Sequence, residues 1–152
     1  MKIAITGHSS GIGSSLESIL SLTTNYEIRG YSKSNGWNIA QDDGELIIQE
    51  LIRGIINDTM YGEVPYESAV VVDVLENKEK LIRIKSTIIV NNTNQKKILI
   101  GTSGQNIKKI GIESRLLIEK IYFKDVYIDL IVEVNENWKN DIQILKKIGF
   151  AS

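Results

Sequence analysis

Ile98-Leu99-Ile100-Gly101-Thr102-Ser103-Gly104-Gln105-Asn106-Ile107-Lys108-Lys109-Ile110 sets a Gly-x-x-Gly turn between an apolar segment and the first turns of a lysine-rich helix. Two glycines three apart let the chain turn sharply and let a ligand approach the main chain without meeting a side chain. The helix that follows offers free N–H groups and the positive end of its dipole. A loop of this kind suits a phosphate backbone. Two glycines at that spacing also describe a plain turn between elements, so the flanking sequence decides between the two.

Upstream, Ile47, Ile48, Leu51, Ile52 and Ile55 recur at helical spacing, which predicts an amphipathic helix from Glu45 to about Asp58, stopped by Gly62 and Pro65. Tyr66 to Leu75 is rich in valine and reads as a strand. Leu81 to Val90 alternates, with Ile82, Ile84, Ser86, Ile88 and Val90 on one face and Arg83, Lys85, Thr87 and Ile89 on the other, so it is a second strand beyond the turn Asn77-Lys78-Glu79-Lys80. Downstream, Ile107, Ile110, Ser114, Leu117, Ile118 and Ile121 form one stripe of a helix. Val126 to Val134 reads as a strand with Ile128, Leu130, Val132 and Val134 alternating. Periodicity leaves Gln95 to Ile100 open between a short strand and a short helix.

The chain of 152 residues is nearly neutral, at a net charge of −1, so no broad field advertises nucleic acid. The local distribution differs. From Lys96 to Lys124 the basic residues are Lys96, Lys97, Lys108, Lys109, Arg115, Lys120 and Lys124, against Glu113 and Glu119. Excess lysine on a helix is often only a solvated face. Here Lys108 and Lys109 fall just after Gly104, where phosphates would sit, and binding through them would weaken steeply with salt.

From Glu45 onward the sequence resembles the carboxy-terminal domain of the Era family of ribosome-assembly GTPases. Five blocks carry the resemblance in order: Glu50 to Arg53, Glu63 to Val70, Gln95 to Gly101, Val132 to Trp138 and Leu145 to Phe150. The resemblance implies an α+β fold of the type II K-homology (KH) kind over residues 45–152: helix, two strands, a short helix, the Gly-x-x-Gly loop, a long helix, a strand and a terminal helix. It therefore makes Gln95 to Ile100 a helix, with Thr93 as its N-cap. It implies single-stranded RNA as partner, held about four nucleotides at a time, and the 3′ end of small-subunit ribosomal RNA as target during assembly. In that role Gly101 and Gly104 shape the clamp, Thr102, Ser103 and Gln105 offer polar donors, and Lys96, Lys97, Lys108 and Lys109 neutralise phosphates. Era-like loops usually read Gly-Lys-Gly-Gly, so Thr102 and Ser103 remove a cation and point to weaker binding through hydroxyls. The rings of Tyr122, Phe123 and Tyr127, at a helix-to-strand junction, are expected in the core.

Residues 1–42 read differently. Met1 to Thr6 is a short apolar run, followed by Thr6-Gly7-His8-Ser9-Ser10-Gly11-Ile12-Gly13, a helical stretch to about Leu22 and a second strand from Tyr26 to Tyr31. This resembles the opening β-α-β of short-chain dehydrogenases, a truncated Rossmann-like segment in which Gly7, Gly11, Ile12 and Gly13 would approach a dinucleotide pyrophosphate. Ser32, Lys33 and Ser34 stand where an acidic residue would select NAD, so the alternative this resemblance implies is an NADP-binding protein. Its chemistry needs a Tyr-x-x-x-Lys pair, and none of the 6 tyrosines has a lysine four residues on. No G-x-x-x-x-G-K-[ST] occurs either, so no site for the phosphates of GTP and its Mg²⁺ is expected. The expectation is an RNA-binding module that is not an enzyme and needs no cofactor. A seam lies near Gln41 to Glu45, as in a gene fusion, a truncation or an assembly artefact, with the N-terminal unit loosely attached.

Other chemistries are excluded by composition. There are 0 cysteines, hence no disulfide framework or thiolate metal site, and His8 is the only histidine, so no metal set is expected. No segment reaches the ~18 consecutive apolar residues of a membrane span, and the N-terminus lacks the features of a signal peptide. A cytoplasmic protein is expected.

Overall fold

The computed structural model describes residues 2–6, 27–31 and 44–150. Two strands, β1 (Lys2–Thr6) and β2 (Glu27–Tyr31), pair in parallel with Lys2 opposite Glu27 and Thr6 opposite Tyr31. They coincide with the two strands expected in the N-terminal segment.

The rest is built around a three-stranded sheet. Helix α1 (Gly44–Thr59) buries Ile47, Ile48, Leu51, Ile52 and Ile56, so the stripe runs along Ile48, Ile52 and Ile56 while Ile55 sits at its margin. Strand β3 starts at Ser68 and ends at Asn77, later than the valine run suggested. The N–H groups of Tyr66 and Glu67 both donate to the Glu63 carbonyl, at 3.0 and 2.9 Å, which keeps those residues in the Gly62–Pro65 turn. Strand β4 (Leu81–Val90) pairs antiparallel with β3, and β5 (Asp125–Val134) lies parallel on its other side, giving the order β3-β4-β5.

Between β4 and β5 the chain forms α2 (Thr93–Ile100), a 3₁₀ turn (Thr102–Gly104) and α3 (Gln105–Tyr122). The segment that periodicity left open is thus a helix, but its cap is Asn92 rather than Thr93. Asn92 is extended, and its Oδ1 accepts the Gln95 N–H at 2.9 Å, while Thr93 is already the first helical residue. Gln95, only 3% exposed, anchors the base of α2 further: its Oε1 accepts the Asn91 N–H and its Nε2 donates to Glu63, both at 2.9 Å.

Alternation in the strands sends two sets of side chains to two cores. Ile82, Ile84 and Ile88 of β4 pack with Ile48 and Ile52 of α1, Leu99 of α2 and Ile110 and Ile118 of α3 in the main core. On the reverse face Ala69, Val71 and Ile89 meet Trp138, which belongs to a 3₁₀ turn (Trp138–Asn140) ahead of α4 (Ile142–Lys147). The Trp138 indole N–H donates to the Glu67 carbonyl at 3.1 Å, and Asp141 caps α4 by accepting from the Gln143 and Ile144 N–H groups. Only part of the reverse face is covered in this way.

That geometry corrects the expectation for two aromatic residues. Tyr122 is half-buried against the main core, but Phe123 is 63% and Tyr127 is 58% exposed. Phe123 ends α3 in the left-handed conformation, at φ 54°, and Tyr127 points to the uncovered reverse face, where the Arg83 guanidinium lies 5.8 Å from its ring centre. A ring at a junction is drawn into the core only when its strand position faces a covering element, and position 127 does not.

Candidate functional site

Helix α2 ends because Gly101 takes φ 76° and ψ 175°, a conformation that strongly favours glycine, while its N–H still closes on the Lys97 carbonyl at 2.9 Å. A turn follows in which Ser103 (φ 54°, ψ 26°) and Gly104 (φ 76°, ψ 17°) are both left-handed. Gly104 N–H donates to the Gly101 carbonyl at 3.2 Å, closing the turn. Gly104 is then the N-cap of α3 and, having no side chain, caps none of its first N–H groups. The first turn of α3 therefore directs main-chain donors and a positive dipole end toward the loop.

The polar side chains expected in the site divide between this loop and the helices on either side of it. Thr102, Ser103 and Gln105 are exposed at its rim. Lys108 and Lys109 follow on α3, both exposed, but they differ in their surroundings: Lys109 Nζ is 3.8 Å from the Glu113 carboxylate, whereas Lys108 lines an adjoining groove. Lys96 and Lys97 belong to α2 rather than to the loop, with Lys96 half-buried and Lys97 exposed. Gly7, Gly11, Ile12 and Gly13, the candidates of the dinucleotide reading, lie outside the described residues.

The groove is what sequence reasoning missed. It runs between α3 and β5, about 560 Å³ in volume, and is lined by Ile107, Lys108, Gly111, Ile112, Arg115, Ile128 and Leu130. Gly111 lies on its helix side, where an added Cβ would stand 3.8 Å from Leu130 Cδ1, in ordinary van der Waals contact. A glycine inside a helix otherwise destabilises it by roughly 0.5–1 kcal/mol relative to alanine, so Gly111 was the available signal. Ile128 and Leu130 look like ordinary core residues in the sequence, yet they are only half-buried because β5 is the edge strand of the sheet. Arg115 Nε lies 3.9 Å from Glu119, whose carboxylate also accepts the Val126 N–H at 3.2 Å. A carboxylate thus bridges α3 to the start of β5, beyond the arginine.

The arrangement is a main-chain anion cradle opening into an apolar trough with a basic margin. Such a pair suits a polymer with charged linkages and flat apolar faces. Among the described residues no group of histidine, aspartate and glutamate is placed to hold a metal, and no helix is long and apolar enough to cross a membrane.

Comparison with known proteins agrees with this architecture. The family model described as KH domain matches residues 63–139. The GTPase Era of Helicobacter pylori is 38% identical over 105 residues, covering 69% of this chain and 35% of that protein. The GTPase Era of Syntrophus aciditrophicus is 39% identical over 103 residues, covering 66% of this chain and 34% of that protein. The chain thus spans about a third of the length of the curated relatives it matches. Two solved structures share the fold, each with a TM-score of 0.66 over 98% of this chain and 60% of theirs. They are an Aquifex aeolicus Era variant bound to GDP and aluminium fluoride, at 23% identity, and Era in complex with MgGDPNP and nucleotides 1506–1542 of 16S ribosomal RNA, at 24%.

Proposed function

That the chain belongs to the KH-domain family is the premise from which we propose that it binds single-stranded RNA, with small-subunit ribosomal RNA during ribosome assembly as its target. The observation that carries the reading is the junction of the Gly101–Gly104 cradle with the groove between α3 and β5. Phosphates lie against the main-chain donors after Gly104 and the hydroxyls of Thr102 and Ser103, and bases lie on Ile112, Ile128 and Leu130. Lys108 stands at the boundary, where it neutralises a phosphate without leaving the groove margin. About four nucleotides occupy a loop and trough of this kind. The Era structure that contains 16S ribosomal RNA nucleotides supports the choice of target.

The same reading makes residues 45–152 the RNA-binding domain, with residues 1–42 a separate unit of dehydrogenase-like origin, and it assigns the chain no catalytic step. Within these 152 residues there is neither a Tyr-x-x-x-Lys pair nor a G-x-x-x-x-G-K-[ST] loop to carry one. A fluorescence titration with NADPH tests the N-terminal unit: a saturable signal would give it a nucleotide-binding role.

A salt-dependent titration of a short single-stranded RNA tests the main reading. Wild type is expected to bind, with affinity falling linearly on a log–log plot against salt. The Thr102→Asp, Ser103→Asp double variant, which sets two carboxylates against the phosphates, is expected to lose binding. Equal binding by both proteins contradicts the clamp.

A further inference from the structure

One contact spans the loop without involving either of its glycines. Asn106 Nδ2 donates to the Ile98 carbonyl at 2.8 Å, across eight residues of sequence. Ile98 lies in the last turn of α2, where carbonyls lack intrahelical partners, and Asn106 lies in the first turn of α3. The bond therefore ties together the two helix ends between which the loop is strung. Inside the tie lie the three residues of positive φ, Gly101, Ser103 and Gly104. Such conformations are sparsely populated by an untethered chain, above all at a serine.

The Asn106 side chain also packs under the loop. A Cβ on Gly101 would meet Asn106 Cγ at 2.7 Å and Nδ2 at 2.8 Å. Gly101 thus has a second reason to be glycine besides its φ: any side chain there would push the Asn106 amide off the Ile98 carbonyl. By contrast, a Cβ on Gly104 would meet only Ile107 Cγ2, at 3.9 Å. The two glycines of the motif therefore do different work, the first making room for the tie and the second starting α3.

We infer that Asn106 is a positioning residue for RNA binding, one that holds the Gly101–Gly104 cradle in its anion-facing shape before any ligand arrives; this rests on the RNA-binding reading above. Asn106 brings no cation and acts through the fraction of molecules whose loop is already set. Apparent affinity scales with that fraction, so a loop set in one molecule out of ten binds about tenfold more weakly.

The test uses the full 152-residue chain and two measurements. Amide hydrogen exchange at Gly104, whose N–H closes the turn, reads the tie without any ligand. Titration of a mixed-sequence single-stranded oligoribonucleotide over a range of salt reads its effect on binding. Asn106→Ala is expected to speed Gly104 exchange and weaken binding about tenfold. Protection in β4 and β5 and the slope of log affinity against log salt are expected to stay as in wild type. Asn106→Asp keeps the size of the side chain and suits a helix N-terminus, but it has no hydrogen to donate, so faster Gly104 exchange in this variant assigns the effect to the lost bond. Unchanged Gly104 exchange in both variants overturns the inference. So does faster Gly104 exchange in Asn106→Ala with RNA affinity unchanged, which would leave the tie without a part in binding. If wild type fails to bind while Asn106→Ala still speeds exchange, the RNA reading fails and the tie stands.

Discussion

The side-chain oxygen of Gln49 accepts the Val72 N–H at 3.0 Å, at the point where β3 slips its register against β4. Val72 pairs with Ser86 and Val74 with Lys85, so Asp73 is the extra residue of a bulge. Gln49 is buried in α1, and its Nε2 also donates to the Lys147 carbonyl at 3.2 Å, so one amide joins α1, the bulge and α4. Gln49→Leu would leave the buried Val72 N–H without an acceptor. The expected loss is about 1–3 kcal/mol of unfolding free energy, read from urea melts. An unchanged midpoint would show that the bulge is satisfied in some other way.

Ser103 is left-handed in the middle of the cradle, at φ 54°. That region costs a non-glycine residue roughly 1–2 kcal/mol, partly offset by the greater unfolded-state freedom of glycine. Ser103→Gly is therefore expected to raise stability by up to about 1 kcal/mol, while Ser103→Val, branched at Cβ, lowers it. Equal melting temperatures for the three proteins would contradict the strain.

Much of this architecture is legible in the sequence, and the exceptions have a common cause. The β4 strand is fixed to the residue by its alternation, because one complete face meets the core. The α3 stripe is equally plain, with Ile110, Ser114, Ile118 and Ile121 all buried. The Gly-x-x-Gly loop is readable because two of its three positive-φ positions, 101 and 104, are glycine. What stays hidden depends on which faces remain uncovered. Phe123 and Tyr127 look like core and are exposed, while Ile128 and Leu130 look like core and line a groove. Asn106 shows no pattern of its own, since its role exists only once two helix ends are brought together.

Lys108 and Lys109 are neighbours in sequence but are not equivalent. Lys109 lies 3.8 Å from Glu113, whereas Lys108 faces the groove. Lys108→Ala is expected to weaken RNA binding more, and to make the log–log salt slope shallower by about 0.7, the value of one phosphate contact on a single strand. Lys109→Ala should change the slope less. The reverse order would move the phosphate path to the Glu113 side of α3.

Burial raises the pKa of the Tyr122 hydroxyl above the ordinary tyrosine value of 10.0. The folded protein then holds this proton more tightly than the unfolded chain does. Its contribution to stability is complete below about pH 10 and is lost as pH rises beyond that value. Thermal melts between about pH 8 and pH 11 should fall more steeply for wild type than for Tyr122→Phe, which has no proton to lose. Parallel curves would mean that the hydroxyl is hydrated in the folded state.

The central claim, that the cradle and the groove form one RNA surface, is tested most directly by backbone amide shifts during titration with a short single-stranded RNA. The account predicts saturable shifts that run continuously from Gly101 to Lys109 and include Gly111, Ile112, Arg115, Ile128 and Leu130. It is contradicted if the loop does not shift, or if the shifts gather on the reverse face around Arg83 and Tyr127 while the groove stays silent.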